Sequence, residues 1–420
     1  MRVLILGGGG REHALAWACA ESGMVRALFA APGNAGIAQL ATCLSLPIED
    51  GAAVAAWVLE NRIDLVLVGP EGPLVAGVAD ALRAAGVPVL GPDRSAARLE
   101  ASKAFTHEIA DACGAPMAAH AVFHTADAAV AHSRGLSAPP VVKYDGLAGG
   151  KGVVVAETHE EAEAAAVRFL AEPGASVVLE ERLIGEEASL FVLCDGETVV
   201  PLGSAQDHKR LGEGDTGPNT GGMGAYSPAP VLGAELERRA LDEIVRPVLA
   251  EMAARGAAYR GVLYAGLMIT ETGPKLIEIN VRFGDPEAQV LLLRLGGDAL
   301  RLMAAAAEGR LAGEAPPVWR DVAAMTVVMA TRGYPGVYDK GSEIRGLAAA
   351  EAIEGVTVFH AGTRAGSDGR VVAYGGRVLG VSAVAPELGT ARDLAYRAVA
   401  EIDWPEGVHR RDIGWRALRR

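Results

Sequence analysis

The chain has 420 residues, half of them hydrophobic, and a formal net charge of −13 from 39 basic and 52 acidic side chains. At roughly 100–200 residues per domain this length predicts several domains with sizeable cores. The acidic balance excludes a protein that works through a broad basic face on nucleic acid, but not one that holds a small anion in a local basic cavity.

The first hundred residues alternate strand and helix. Strands are expected over 2–6, 26–30, 64–68 and 87–90, and helices over 11–21, 52–61 and 74–85. Continuous apolar strands between amphipathic helices imply a parallel sheet covered on both faces. The apolar run 3–6 is too short for a secretory leader. No run of about 18 apolar residues appears, so no membrane span is expected. Cys19, Cys43, Cys113 and Cys194 lie far apart, which suits small buried hydrophobes in a reducing cytoplasm better than a zinc site or disulfides.

A helix over 98–112 follows, ended by Gly114 and Pro116. Strands are expected over 140–143 and 152–156, a helix over 159–170, and strands over 176–181, 189–194 and 198–202, the last two joined at Asp195-Gly196. Residues 206–230 read as a long glycine- and proline-rich loop, a form that within a domain usually serves function. A helix over 234–255 leads to strands over 261–269 and 275–281 and helices over 287–295 and 299–307. After a linker at 313–317 come strands over 323–330, 356–361, 371–374 and 377–384 and a helix over 390–401.

Three segments carry chemistry. Gly7-Gly8-Gly9-Gly10 joins a strand to a helix, where backbone N–H groups and the helix end favour an anion. It is not a dinucleotide fingerprint. The third glycine position is Glu12 or His13, and the second strand ends in Ala30-Ala31-Pro32 without an acid for a ribose. His13 is expected to pack rather than react. The second segment, Lys143-Tyr144-Asp145-Gly146-Leu147-Ala148-Gly149-Gly150-Lys151-Gly152, lacks the spacing of a P-loop and runs into a β-branched strand. It reads as a hairpin flap whose glycines let backbone approach oxyanions, with Lys143 and Lys151 adding positive charge.

The third is the strand ending Glu278-Ile279-Asn280-Val281-Arg282. Alternation places Glu278, Asn280 and Arg282 on one face, with Ile277, Ile279 and Val281 toward the core. A carboxylate and an amide oxygen are hard ligands suited to Mg²⁺ or Mn²⁺, leaving coordination for triphosphate oxygens. Arg282 stands ready to neutralise a transferring phosphoryl group.

Together with these segments, several motifs make the chain resemble the phosphoribosylamine–glycine ligase family (the glycinamide ribonucleotide synthetases) of the ATP-grasp superfamily. They include Gly9-Gly10-Arg11-Glu12-His13-Ala14, residues 31–36, Val68-Gly69-Pro70-Glu71, Gln206-Asp207-His208-Lys209-Arg210, residues 215–226, Arg282-Phe283-Gly284-Asp285-Pro286-Glu287, Gly375-Gly376-Arg377-Val378-Leu379 and Asp412-Ile413-Gly414-Trp415-Arg416. The resemblance covers nearly the whole chain.

It implies a multidomain α/β and α+β fold. The parts are an N-terminal Rossmann-like parallel sheet over 1–101, a central ATP-grasp domain over 102–310 with a mobile flap subdomain at about 117–188, and a small C-terminal α+β domain over 318–420. It implies that ATP phosphorylates glycine and that 5-phospho-β-D-ribosylamine attacks the glycyl phosphate, in de novo purine biosynthesis. The partners are small molecules, with neither nucleic acid nor membrane, in a cytoplasmic monomer. Another ATP-grasp carboxylate-activating ligase, including the biotin-carboxylase type, is the alternative.

By resemblance, Lys103 and Lys143 hold ATP phosphates, the loop with Gly149, Gly150 and Lys151 covers them, Glu180, Glu181 and Leu183 form the adenine hinge, and Glu187 binds ribose. Glu278 and Asn280 hold the metal. Arg282, Lys143 and Asp207 are the catalytic candidates. Asp207, Lys209, Pro218, Asn219, Thr220, Gly221, Gly222, Met223 and Gly224 are expected at the glycine and phosphoribosylamine site, faced by Gly9, Gly10 and Arg11. Tyr144 and Gly149 stand where the family usually has Ala, and Val281 where it often has Cys; none removes a group the chemistry needs.

Overall fold

The computed structural model describes residues 1–366 and 368–419. The N-terminal strands form a five-stranded parallel sheet in the order Thr42–Cys43, Ala27–Pro32, Arg2–Gly7, Leu65–Val68, Val89–Leu90. Leu4, Leu6, Val66 and Val68 pack into one hydrophobic cluster, while Val3, Ile5, Leu65 and Leu67 pack into another on the opposite face. Burial on both faces is why these strands show apolar runs without alternation.

Two expected helices are broken by identifiable residues. The helix expected over 74–85 is two, Glu71–Ala76 and Val78–Ala84, separated by Gly77 at φ 89°. The helix expected over 98–112 is also two, Arg94–Ala101 and Lys103–Cys113, because Ser102 turns extended and its hydroxyl accepts from the N–H of Phe105. That cap sets Lys103 at the first position of a new helix. The helix over 234–255 runs through, but as Ala234–Ala240, a π-helical turn Leu241–Val245 and Arg246–Ala254. Pro247 lacks an N–H and crowds the preceding turn, so the ladder slips by one residue there.

The flap is a four-stranded sheet in the order His120–Phe123, Val177–Glu180, Val141–Tyr144, Val153–Val155. It carries the expected helix His159–Phe169 and an unforeseen one, Ala126–Gly135, on its small core. The large sheet runs Gly273–Asn280, Arg260–Thr270, Glu186–Asp195, Val199–Asp207, Gly224–Ser227, Ala323–Thr331, Arg377–Ala385, Val356–His360, with Gly407–Val408 on the strand Ala323–Thr331. This sheet therefore passes without interruption across the expected divide near 310–318. The expected loop 206–230 is largely ordered. It holds the hairpin Arg210–Gly212 with Thr216–Asn219, and the strand Gly224–Ser227 that joins the two halves of the large sheet. Among the described residues no helix is long and apolar enough to cross a membrane, and all four cysteines are free.

Candidate functional site

A cavity of 770 Å³ lies where the three parts of the chain meet. Its wall includes Arg11 and Glu71 from the N-terminal part, Lys103, Lys143 and the loop 146–150 from the flap side, Glu278, Asn280 and Arg282 from the edge strand, and Tyr334, Arg377 and Arg416 from the C-terminal part.

The edge strand reaches this wall through a bulge. Glu278 pairs with Gly266 but Leu276 with Leu267, so Ile277 is an extra residue. The bulge corrects the expected alternation. Leu276, Ile279 and Val281 are in the core, whereas Ile277 faces the cavity beside Glu278. The Ile277 carbonyl accepts from Lys143 Nζ at 2.7 Å. Glu278, Asn280 and Arg282 do share the cavity face. Lys209 Nζ lies 3.3 Å from Glu278 Oε1 and 3.1 Å from Glu187 Oε2. Lys209, helped against burial by Lys143 and Lys103, holds the Glu278 carboxyl down to about 2. Burial works against the charge of Lys209, but Glu187 and Glu278 overcome it and raise its pKa.

Arg282 is already engaged by its neighbours. It donates to Glu71 at 3.2 Å, Glu100 at 2.6 Å, the Phe283 carbonyl at 3.2 Å and Asn280 Oδ1 at 3.2 Å. Of five guanidinium N–H groups, one on Nη1 remains for a ligand.

Lys103 donates to the Gly146 carbonyl at 2.9 Å, tying helix to flap. Burial and the neighbouring Lys143 lower its pKa, with Glu278 opposing. Lys143 pairs with Glu180 Oε2 at 2.8 Å. Gly149 and Gly150 have φ of 55° and 79°, and a Cβ on Gly150 would come within 3.2 Å of the Thr220 carbonyl. The flap backbone thus approaches the 219–221 loop at a point where glycine is needed. Glu181, Leu183 and Glu187 also line the cavity.

Asp207 is half-buried in the cavity wall. Burial, opposed by Lys209 and reinforced by Glu287, Glu187 and Glu278, pushes its carboxyl up to about 8. Burial raises Glu287 as well. Asn219, Thr220 and Gly221 complete the far wall. The Gly221 N–H donates to Tyr334 Oη at 3.0 Å, and Arg377 donates to the Gly221 carbonyl and to the Asp285 carbonyl, the latter at 2.6 Å.

Several expected site residues stand elsewhere. Lys151 turns from the cavity and donates to the Pro335 carbonyl at 3.0 Å. The Gly9 N–H is taken by Glu12 Oε2 at 2.6 Å, and Gly10 packs on Gln289, so of that loop Arg11 alone lines the cavity. Pro218 is exposed on the hairpin, Gly222 packs on Pro286, and Gly224 lies in the large sheet. Met223 is 1% exposed in the C-terminal core. Dense glycines marked the right segment, but half of them serve close backbone packing.

Other wall residues carried no role in the sequence reading. Glu71, Asp285, Arg377 and Arg416 sat inside quoted motifs; Glu100, His107 and Tyr334 carried no local signal.

Three family models match the chain: the phosphoribosylglycinamide synthetase N domain over residues 1–100, its ATP-grasp (A) domain over 101–288 and its C domain over 324–416. The chain is 55% identical to a phosphoribosylamine–glycine ligase of Mesorhizobium japonicum, covering 100% of this chain and 99% of the relative. It is 49% identical to one of Salmonella typhimurium over the same shares. The crystal structure of a phosphoribosylamine–glycine ligase from Thermotoga maritima superimposes with a TM-score of 0.84 at 32% identity, over 98% of this chain and all of that one. A biotin carboxylase from Campylobacter jejuni shares the fold at a TM-score of 0.73 and 15% identity, over 100% of this chain and 95% of that one.

Proposed function

The chain belongs to the phosphoribosylglycinamide synthetase family, and we propose that it joins glycine to 5-phospho-β-D-ribosylamine at the expense of ATP. The products are N1-(5-phospho-D-ribosyl)glycinamide, ADP and phosphate, a step of de novo purine biosynthesis. The observation that carries this reading is a cavity on which Lys103, Lys143, the glycine-rich flap loop and the Glu278–Asn280 pair converge.

In this reading a glycine carboxylate oxygen attacks the γ-phosphorus and ADP leaves. The amine of phosphoribosylamine then attacks the carbonyl carbon of the glycyl phosphate, the C–N bond forms as the carbonyl C–O bond breaks, phosphate leaves with the bridging oxygen, and the nitrogen loses a proton. Lys103 and Lys143 hold the phosphates, and the backbone of Gly149 and Gly150 closes over them, which keeps water from an acyl phosphate. Glu181 and Leu183 border the nucleobase and Glu187 the ribose. Arg282 offers its remaining N–H to the moving phosphoryl group, with its charge already shared by Glu71 and Glu100. Asp207, on the acceptor side of the cavity, takes the proton the attacking amine loses once its own carboxyl has ionised beside Lys209. Asp207, Lys209, Asn219, Thr220, Gly221 and Arg11 line the acceptor side.

Glu278 and Asn280 fit a divalent cation. Both are oxygen donors on one cavity face, Glu278 is ionised across the physiological range, and the Asn280 oxygen keeps a lone pair beyond its bond from Arg282. Mg²⁺ or Mn²⁺ held there would neutralise triphosphate oxygens.

The working parts are the sheet domain 1–101, the central domain 102–310 with its flap 117–188, and the C-terminal domain 318–420, whose strands continue the central sheet. The reading is completed by a monomer working in the cytoplasm on small-molecule substrates. The test is a substrate panel: ADP is released with Mg²⁺ or Mn²⁺ only when glycine and phosphoribosylamine are both present. Release with bicarbonate or formate, and none with glycine, transfers the chain to another carboxylate-activating chemistry of the same fold.

A further inference from the structure

We infer that His107 is a positioning residue for Lys143, acting through the Glu180 carboxylate. The inference rests on the reading of Lys143 as a phosphate-holding lysine. His107 follows Lys103 by four residues on the helix Lys103–Cys113, so the two project from one face toward the cavity, which both line. The His107 ring is 1% exposed. Its Nε2 lies 2.8 Å from Glu180 Oε1. The other Glu180 oxygen lies 2.8 Å from Lys143 Nζ, which also donates to the Ile277 carbonyl at 2.7 Å. Glu180 itself is 4% exposed.

This chain of contacts has a physical consequence. Glu180 is ionised despite its burial, because Lys143 and His107 together outweigh the cost of desolvation and lower its pKa. A carboxylate so buried needs donors on both oxygens. His107 supplies one, so the other stays aimed at Lys143. Two Lys143 N–H groups are then fixed, to Glu180 and to Ile277, and the third is left for the cavity. His107 Nδ1 is buried without a partner among the described residues. Glu180 is thus the ring's one polar partner there, and because a carboxylate oxygen only accepts, Nε2 carries the proton that faces it. The ring is held flat by His120, stacked at 3.8 Å between centroids and 24° between planes. No nucleotide atom has to touch His107 for this to work; its effect reaches the ligand through the ammonium of Lys143.

The experiment is calorimetric titration of the full chain with ADP in Mg²⁺ buffer. His107→Met keeps length and removes the donor, and is expected to weaken ADP about tenfold, the effect of losing a hydrogen bond to a charged group. His107→Gln retains an N–H at the reach of Nε2 and is expected to bind within about threefold of the parent, since a restored donor restores most of that bond. In a Lys143→Met background, His107→Met is expected to cost nothing further. Unchanged ADP affinity in His107→Met, equal losses in the Met and Gln variants, or additive losses with Lys143→Met would overturn the role. Should the Met variant not fold, the Gln variant decides, because a tenfold loss with the donor retained speaks for packing alone. ADP titration needs neither glycine nor phosphoribosylamine, so a failure of the ligation reading leaves this result legible.

Discussion

Lys209 Nζ rests 3.3 Å from Glu278 Oε1, so the strongest cation neighbour of the metal-candidate carboxylate is a lysine of the same cavity. A cation bound at Glu278 must share that oxygen with Lys209. Glu278→Gln is expected to lower turnover by roughly 100-fold or more, as for loss of a group that neutralises developing charge, and to raise the metal concentration needed for half-activity. Lys209→Met is expected to lower that concentration while also lowering turnover. A normal metal dependence in Glu278→Gln would remove the metal assignment.

Lys143 and Lys151 bracket the flap but face different ways. Lys143→Met is expected to weaken ADP by at least about tenfold through loss of a charge-assisted contact. Lys151→Met, whose side chain reaches Pro335 outside the cavity, is expected to change ADP affinity by less than about threefold, the scale of an exposed polar contact. Equal losses in direct binding would mean that Lys151 turns inward when nucleotide is present.

His13 and His360 meet at the seam between the N-terminal and C-terminal parts, where the His360 N–H donates to His13 Nδ1 at 2.7 Å. Burial, with His360 adding repulsion, lowers His13 to about 3, and burial lowers His360 to about 4. Both rings fold neutral. Their contribution is complete above the unfolded value near 6.5 and is lost as pH falls from there through the folded values. Each ring contributes a slope of up to about 1.4 kcal/mol per pH unit in that window. Urea unfolding at pH 7 and pH 5 checks this. His360→Asn is expected to shrink the loss between the two by up to about 2 kcal/mol, and an unchanged loss would mean the ring is not the titrating group.

Met223 lies in the segment expected to bind substrate, yet its side chain packs with Tyr226, Met325 and Val327 in the C-terminal core. Met223→Ala is expected to cost about 2–5 kcal/mol of stability by cavity formation. The glycine KM of the folded fraction should stay within about twofold, a change under 0.5 kcal/mol in binding. Urea unfolding and steady-state kinetics separate the two; a large KM change with intact stability would restore Met223 to the substrate wall.

Local sequence determined the elements and the chemistry-bearing segments. Apolar runs such as 3–6 and 65–68 specify strands buried on both faces, and alternation alone puts Glu278, Asn280 and Arg282 on a common face. Those patterns depend on neighbours a few residues away, so they are visible in one dimension. Only the tertiary structure decided which polar atoms are already spent. Glu71 and Glu100 reach Arg282 from about two hundred residues away, Glu12 consumes the Gly9 N–H, and His107 claims the side chain of Glu180. The bulge at Ile277 depends on its partner strand, and the place of Gly224–Ser227 in the large sheet depends on strands on both sides. Long-range pairing sets these outcomes, and no local pattern encodes which distant carboxylate or strand will arrive.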